Sequence, residues 1–587
     1  GDVITTNTVS ETSSGSGVTV DSLLIKDGGV TAAGTSTFAG QTISNLGTVT
    51  TADINGGTVD GITSLSMPSG TVNIQATYPT GTSNVGFGSG TFAAVEAGAT
   101  LNTAMGVNAL QDLTTGDGNT AIGYQAALNA TTASNTVAIG HNAIGLGVLT
   151  GTDNTAIGQG AGNDLTSGQY NNFMGLQAAY NATTADNTVA IGRAAIGSGV
   201  LTGDDNVAIG YLAGYDLTSG SSNFFGGLRA GQTVTTGDDN VAIGQSSLGG
   251  AALTGDRNIA IGYQAGYDLT SGTYNILQGY QAGYNATTAS NTIAIGRAAI
   301  GLGVLTGTSN IAIGQSAGYD LTSGAYNNFI GESAGTNVTT GTYNILQGFS
   351  AGFNATTASY AIGIGRSAFG LGVLTGSYNT AVGYQAGYDL TSGTGNNFIG
   401  YAAGGNATTA TNTVAIGTNA IGLGVATGEG NVAIGVSAGN DLTSGEKNFF
   451  GGYAAGANVT TANSTVAIGN QAIGLGVLTG VANVAVGLEA GYDLTSGEYN
   501  NFMGYQAGYN ATTGDSNIAI GRQAIGGGVL TGTNNVVLGY QAGYDLTSGD
   551  HNILSGFQAG SNVTTGTGNI FQGNEAGENA TTASYGI

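Results

Sequence analysis

Asn135-Thr136-Val137-Ala138-Ile139-Gly140 returns as Asn206-Val207-Ala208-Ile209-Gly210 and again as Asn291-Thr292-Ile293-Ala294-Ile295-Gly296. The phrase is an Asn, a short run of mostly small or β-branched residues, and a Gly. It marks 28 coils between Asn102 and Gly573, one of which, Ala361-Ile362-Gly363-Ile364-Gly365, lacks the Asn. Its closing glycines stand at 106, 123, 140, 158, 175, 192 and 210, and continue to 573 in steps of 17, 17 and 18. A period this short is too small for a globular domain and matches one coil of a β-solenoid, a rod whose core runs along its axis. The predicted fold is therefore all-β: a parallel β-solenoid, or β-roll, of about 28 coils.

Within one coil, strand alternation sends Val137 and Ile139 to one face and Thr136 and Ala138 to the other. Hydropathy assigns the Ile, Val and Leu ladders to the interior. Gly140 permits a tight corner, a second short strand is expected around Ala143, and polar Asx or Thr-Gly corners close the coil. The Asn that opens each phrase can form a ladder of side-chain amides. At about 4.8 Å per coil, the rod would span roughly 130 Å.

Three coil types alternate from about Asn84 onward. The first carries Ala-Ile-Gly-Leu-Gly-Val-Leu-Thr-Gly, as at Ala143 to Gly151. The second carries Ala-Gly-Tyr-Asp-Leu-Thr-Ser-Gly, as at Ala265 to Gly272, and the third Ala-Gly-Tyr-Asn-Ala-Thr-Thr, as at Ala282 to Thr288. Together they make a 52-residue triplet, and an extra third-type coil at Gly348 generates a 225-residue super-repeat. Ser584-Tyr585-Gly586-Ile587 repeats Ser359-Tyr360-Ala361-Ile362, so the sequence is expected to stop inside a strand of a longer shaft.

Composition narrows the function classes. Gly is 110 of 587, but with Pro at 2 and no sustained Gly-X-Y triplet collagen is excluded. Recurrent aliphatic and aromatic positions give each coil something to bury, which argues against disorder. Charged residues are 7% and the net charge is −25, so nucleic acid is a poor partner. Cys is absent, which excludes disulfide staples and thiolate metal sites. No run of 18 apolar residues occurs, so membrane insertion is not expected.

Residues 1–83 lack the beat and read as short strands between Gly-rich turns, suited to strand exchange between chains. Two pieces, Ser14-Gly15-Ser16-Gly17-Val18-Thr19-Val20-Asp21-Ser22-Leu23-Leu24-Ile25-Lys26-Asp27-Gly28-Gly29 and Ala52-Asp53-Ile54-Asn55-Gly56-Gly57-Thr58-Val59-Asp60-Gly61, resemble segments of bacteriophage and related viral tail fibres. The domain reading is 1–83 for attachment and 84–587 for the solenoid shaft. The Asn-Thr-Val-Ala-Ile-Gly phrase is similar to the head repeat of trimeric autotransporter adhesins, although that family's coil is shorter. Both resemblances imply a homotrimer of parallel solenoids.

Catalysis has little support. His141 and His551 are the only histidines and lie about 24 coils apart, too far for a shared triad or metal site. The pairs Asp204-Asp205 and Asp238-Asp239 read as turn acids. One acidic column stands out, six residues after the motif glycine in every second-type coil: Asp164, Asp216, Asp268, Asp320, Asp389, Asp441, Asp493 and Asp545. It reads either as Asx corners in left-handed geometry or as Ca²⁺ ligands shared between chains. No other cofactor is implied. Tyr215, Tyr267, Tyr284, Tyr319 and Tyr388 precede corners of this kind and read either as a glycan-stacking stripe or as packing between coils. Arg193, Arg297, Arg366 and Arg522 are expected to pair with acids across the trimer.

The function these readings imply is the shaft of a viral tail or capsid fibre on the virion surface. A baseplate or capsid protein would hold its N-terminal end, and a distal tip would meet a host receptor or glycan. The alternatives are an extracellular bacterial adhesin head that binds matrix or glycans, and an ice-binding solenoid with Thr arrays such as Thr287-Thr288.

Overall fold

The computed structural model describes residues 83–96 and 98–587; the expected strand-exchange region, up to residue 82, lies outside the described residues. The described chain winds into 29 coils, each contributing one three-residue strand, from β1 (Val85–Phe87) to β29 (Ile570–Gln572). Every strand pairs in parallel with the next. Thus β13 (Ile293–Ile295) sits between β12 (Ile276–Gln278) and β14 (Ile311–Ile313), with Ile293 beside Ile276 and Ile311. The parallel solenoid and its roughly 17-residue beat are as the glycine spacing predicts, with one coil more, because Asn84-Val85-Gly86-Phe87-Gly88 also completes a turn. Among the described residues there is no helix.

The stacking explains the motif glycine. Gly296 has φ +133°, and a Cβ there would lie 2.5 Å from the carbonyl oxygen of Gly314 on the next coil. The corners pile up at backbone contact, and a side chain would pry two coils apart.

Two local expectations change. No second strand forms around Ala143. That segment is a chain of turns in which Asn142 (φ 54°) and Ile144 (φ 48°) are left-handed. Alternating the sign of φ curls the path while keeping N–H and C=O groups along the rod, so the amide of Ile144 still donates to the carbonyl of Ala161 at 2.9 Å. The second change concerns the faces of the strand. Ala138, Ala294, Phe173, Phe225 and Leu277, the middle residues of their strands, are fully buried. Val137, Ile139, Ile293 and Ile295 flank them and are only partly covered. The Ile and Val ladders therefore line the outside. A coil this narrow has room for one inward side chain per strand, and a three-residue strand turns only its centre inward.

Core volume is shared out over the triplet. First-type coils fill the interior with Ile144 and Leu149, second-type coils with Leu165, and third-type coils with Phe173 at the strand centre. Gly162, which precedes Phe173 by one coil, would place a Cβ 2.8 Å from its ring, and Gly214 would do the same to Phe225 at 2.7 Å. The Ala-Gly pair of the second coil is thus the recess that receives the aromatic ring of the third.

Buried amides run beside this core. Asn206, Asn223, Asn240, Asn258 and Asn275 are each at most 1% exposed and form one unbroken run. The Oδ1 of Asn240 accepts from the backbone N–H of Asn258 at 3.0 Å and from its Nδ2 at 3.1 Å, while its own Nδ2 donates to the carbonyl of Gly255 at 3.0 Å. The run ends where Thr292 replaces Asn; its N–H still donates to Asn275 Oδ1 at 3.0 Å. The side-chain ladder anticipated from the sequence is therefore present, in segments.

Candidate functional site

Among the described residues, the candidate surfaces are the columns of side chains along the flanks of the solenoid. The widest is the outer face of the sheet. Its strand positions are Val, Ile, Thr, Phe, Met, Asn, Gln, Leu, Ser or Gly, and none of the 29 strands carries a charged residue. Its most exposed isoleucines are Ile209 at 42% and Ile434 at 43%, and most other positions are half-buried. The sequence reading missed this face because it assigned these residues to the core.

The residue after each motif glycine forms a second, mixed column in which aromatic and cationic side chains recur. Arg193 lies over the ring of Tyr211 at 5.6 Å, Arg297 over Tyr280 at 5.9 Å, Arg366 over Phe349 at 5.3 Å, and Arg522 over Tyr505 at 5.3 Å. Each of these guanidiniums has an aromatic partner within its own chain, where the sequence suggested acids of a neighbour. Arg257, outside this column, lies over the ring of Tyr274 at 5.3 Å, donates to its hydroxyl at 2.6 Å and also meets Asp239 at 3.4 Å. His141 leans on Tyr124 with centroids 5.2 Å apart, and His551 is exposed in a left-handed corner.

The acidic column is placed as the spacing implied, one carboxylate on each second-type coil. Asp164, Asp216, Asp268, Asp320, Asp389, Asp441, Asp493 and Asp545 are partly buried, and none has the left-handed backbone expected of them. Left-handed residues stand earlier in each coil, at Gln264 before Asp268 for example, so the corner is made there. The amide of Asp268 donates to the carbonyl of Tyr284 at 2.9 Å, which keeps the acid in the rod's own ladder. Desolvation raises the pKa of Asp268, Asp320, Asp389 and Asp493, and of Asp216, where a hydrogen bond with Ser198 opposes it. Among the described residues no three His, Cys, Asp or Glu gather as metal ligands. A calcium site here would need acids from another copy. The paired turn acids act on backbone: Asp204 Oδ1 accepts from the amide of Asp186 at 2.8 Å, and Asp238 Oδ1 from Ser221 at 2.8 Å.

Of the threonine pair behind the ice-binding reading, Thr287 donates to the carbonyl of Leu305 at 3.4 Å and Thr288 is exposed.

The tyrosines share one posture. Tyr215, Tyr319 and Tyr388 lean back over a glycine of the preceding first-type coil: a Cβ on Gly197, Gly301 or Gly370 would meet their rings at 2.9, 2.9 and 2.7 Å. Tyr267 and Tyr492 lean over Gly250 and Gly474 in the same way and also stack on the next ring, Tyr267 on Tyr284 at 5.1 Å and 9° and Tyr492 on Tyr509 at 5.0 Å and 7°. A separate ladder absent from the sequence reading stacks Tyr326, Tyr343, Tyr360 and Tyr378 at 4.8 to 5.0 Å. Two depressions open on the flank that holds Tyr284, Tyr319 and Tyr388. One of about 260 Å³ is lined by Gln281, Tyr284, Asn285, Gly301, Leu302 and Tyr319. The other, of about 330 Å³, lies between Tyr388, Tyr401, Gly405, Asn406, Gly422 and Leu423.

No protein-family model matches the chain, and no curated protein is similar to it.

Proposed function

We propose that this chain is the shaft of a fibre, built from three copies in parallel, that holds a receptor-binding tip away from a virion. The observation that carries the reading is the uncharged face, mostly aliphatic with Thr, Asn, Gln, Ser and Gly interspersed, that runs over all 29 strands. In a chain of net charge −25, a long strip without a single carboxylate or cation is the one surface on which copies can approach without repulsion. Two partly exposed side chains per coil add up to on the order of 3,000 Å² on each copy, more than a specific interface requires. Registry favours a copy as the partner, because only a rod with the same rise per coil stays in step over such a length. Three-fold order and the viral setting follow from the resemblance of the N-terminal segments to tail fibres and of the coil phrase to trimeric heads. A uniform hydrogen-bonded solenoid suits a spacer that bears load and performs no chemistry.

Analytical ultracentrifugation and negative-stain microscopy of the intact chain test this. The reading expects a trimer mass and smooth rods of constant width, and antibody labelling places those rods on virions. A monomer at micromolar concentration, or rods attached to a cell envelope, would overturn it.

A further inference from the structure

The two flank depressions are positions where a ladder of aromatic rings lacks a rung. Tyr267 and Tyr284 advance by 5.1 Å from one coil to the next. The next coil has Gly301 at the equivalent place, and the one after has Tyr319. Tyr284 and Tyr319 are therefore two steps apart, about 10 Å along the rod, while one flat ring with van der Waals contacts on both sides needs roughly 7 Å. The two depressions differ in the number of glycines that line them. One glycine, Gly301, accompanies a volume of about 260 Å³. Two successive glycines, Gly405 and Gly422 beyond Tyr388, accompany about 330 Å³.

The walls define the ligand's chemistry. Tyr284 has one face against Tyr267, so its other face is the one turned toward the missing rung. Leu302, 57% exposed, adds an apolar flank. Gln281 donates its Nε2 to Gln264 Oε1 at 3.0 Å, and Asn285 donates its Nδ2 to the carbonyl of Leu302 at 2.8 Å. Each nitrogen keeps a second N–H, so these amides offer a ligand both a donor and a carbonyl oxygen as acceptor. In the larger depression Asn406 is held in the same way, donating to Leu423 at 2.9 Å. No lining residue of either depression is charged, and Asp320 follows Tyr319 directly, which disfavours anions.

We propose that these vacancies are binding slots for neutral pyranose rings, one at Tyr284–Gly301–Tyr319 and a longer one beyond Tyr388. The C–H face of the sugar replaces the missing rung, and its hydroxyls donate to the amide oxygens. The slots add glycan capture along the flank to the shaft role, and do not depend on it.

Saturation-transfer NMR on the intact chain tests the proposal with methyl β-glucopyranoside, methyl β-galactopyranoside, methyl α-mannopyranoside and N-acetylglucosamine at millimolar concentration, and with methyl glucuronide as the anionic control. At least one neutral probe is expected to receive saturation at its ring C–H protons, and the glucuronide less. Combining Tyr284→Ala with Tyr388→Ala should remove half or more of the transfer, while Tyr170→Ala, on another column, leaves it unchanged. Leu302→Asp with Leu423→Asp, at exposed positions that spare the rings, should give the same loss without disturbing the fold. No transfer to any neutral probe, or a loss under half in both double variants, overturns the proposal. A trimeric rod that ignores sugars would remove the slots and leave the shaft; a sugar-binding monomer would do the reverse.

Discussion

Two columns that share every strand invert the usual distribution of polarity. The Asn that precedes β11 (Ile259–Ile261), Asn258, is fully buried, while Ile259 beside it is 37% exposed. The asparagines gain burial because each amide is matched on two sides by the coils before and after, so no donor or acceptor is stranded. The isoleucines are excluded because the interior has space only for the middle residue of the strand. In a stack of coils, then, burial is decided by cross-section and by hydrogen-bond complementarity between neighbours. Hydropathy decides what the leftover outer face can meet.

The largest effect should come from breaking the buried column. Asn240→Leu leaves the amide of Asn258 and the carbonyl of Gly255 without partners in a dry site, a cost of about 2–4 kcal/mol. Hydrogen exchange should show coils around Asn240 opening while distant coils stay protected, since each coil touches only its neighbours. Asn240→Thr should cost about 1 kcal/mol, because the chain already uses Thr292, whose amide still feeds the ladder and whose hydroxyl donates to Ser290 at 3.3 Å. Equal losses for the two variants would mean the amide ladder is not what stabilises the column.

Next in size is the strand centre. Ala294 lies between Leu277 and Ala312 and is fully buried, so Ala294→Leu overfills its coil and should cost about 1–3 kcal/mol. Its neighbour on the outer face should behave differently. Ile295→Asp is expected to change the stability of a single rod by under about 1 kcal/mol, yet to weaken assembly, because it puts a charge on a face that has none. Melting curves check the first half and sedimentation the second. A large fall in melting temperature for Ile295→Asp would return the isoleucine ladder to the core.

How much of this was legible in the sequence follows the same division. The period, the parallel stack, the glycine corners and the Asn ladder all leave a residue at a fixed interval, and each was readable. The phase of the strand was not. Asn-Thr-Val-Ala-Ile-Gly alternates equally well either way round, and hydropathy chose Ile where geometry chose Ala. The left-handed turn at Asn142 carries little composition signal, since Gln, Ser and Ala occupy equivalent places in other coils. At the place of Ile144, by contrast, most coils carry a glycine, such as Gly162, Gly214 and Gly266, a signal the sequence reading did not use. For the flank, tyrosine spacing was visible, but the slot at Gly301 depends on three coils at once. Its defining residue is a glycine that reads as part of a loop.

The smallest expected effect concerns the column of partly buried aspartates. Burial raises the pKa of Asp268, Asp320, Asp389 and Asp493, and of Asp216 against an opposing hydrogen bond. A carboxyl with a higher pKa in the folded chain binds more protons there than in the unfolded chain. Its contribution is then fully present below the unfolded value near pH 4, and is lost as pH rises through the folded value. The solenoid should melt at a higher temperature as it is acidified from neutrality toward that window, opposite to a protein held by ion-paired acids. Relief of self-repulsion among the chain's acids acts in the same direction, so the wild-type slope alone does not identify the cause. Replacing the five aspartates together with Asn removes the local part: the slope of melting temperature against pH should flatten. A variant that removes five acids elsewhere, such as Asp117, Asp153, Asp186, Asp205 and Asp256, should flatten it less. If the two variants flatten it equally, only net charge is at work, and the buried column contributes nothing to the acid response.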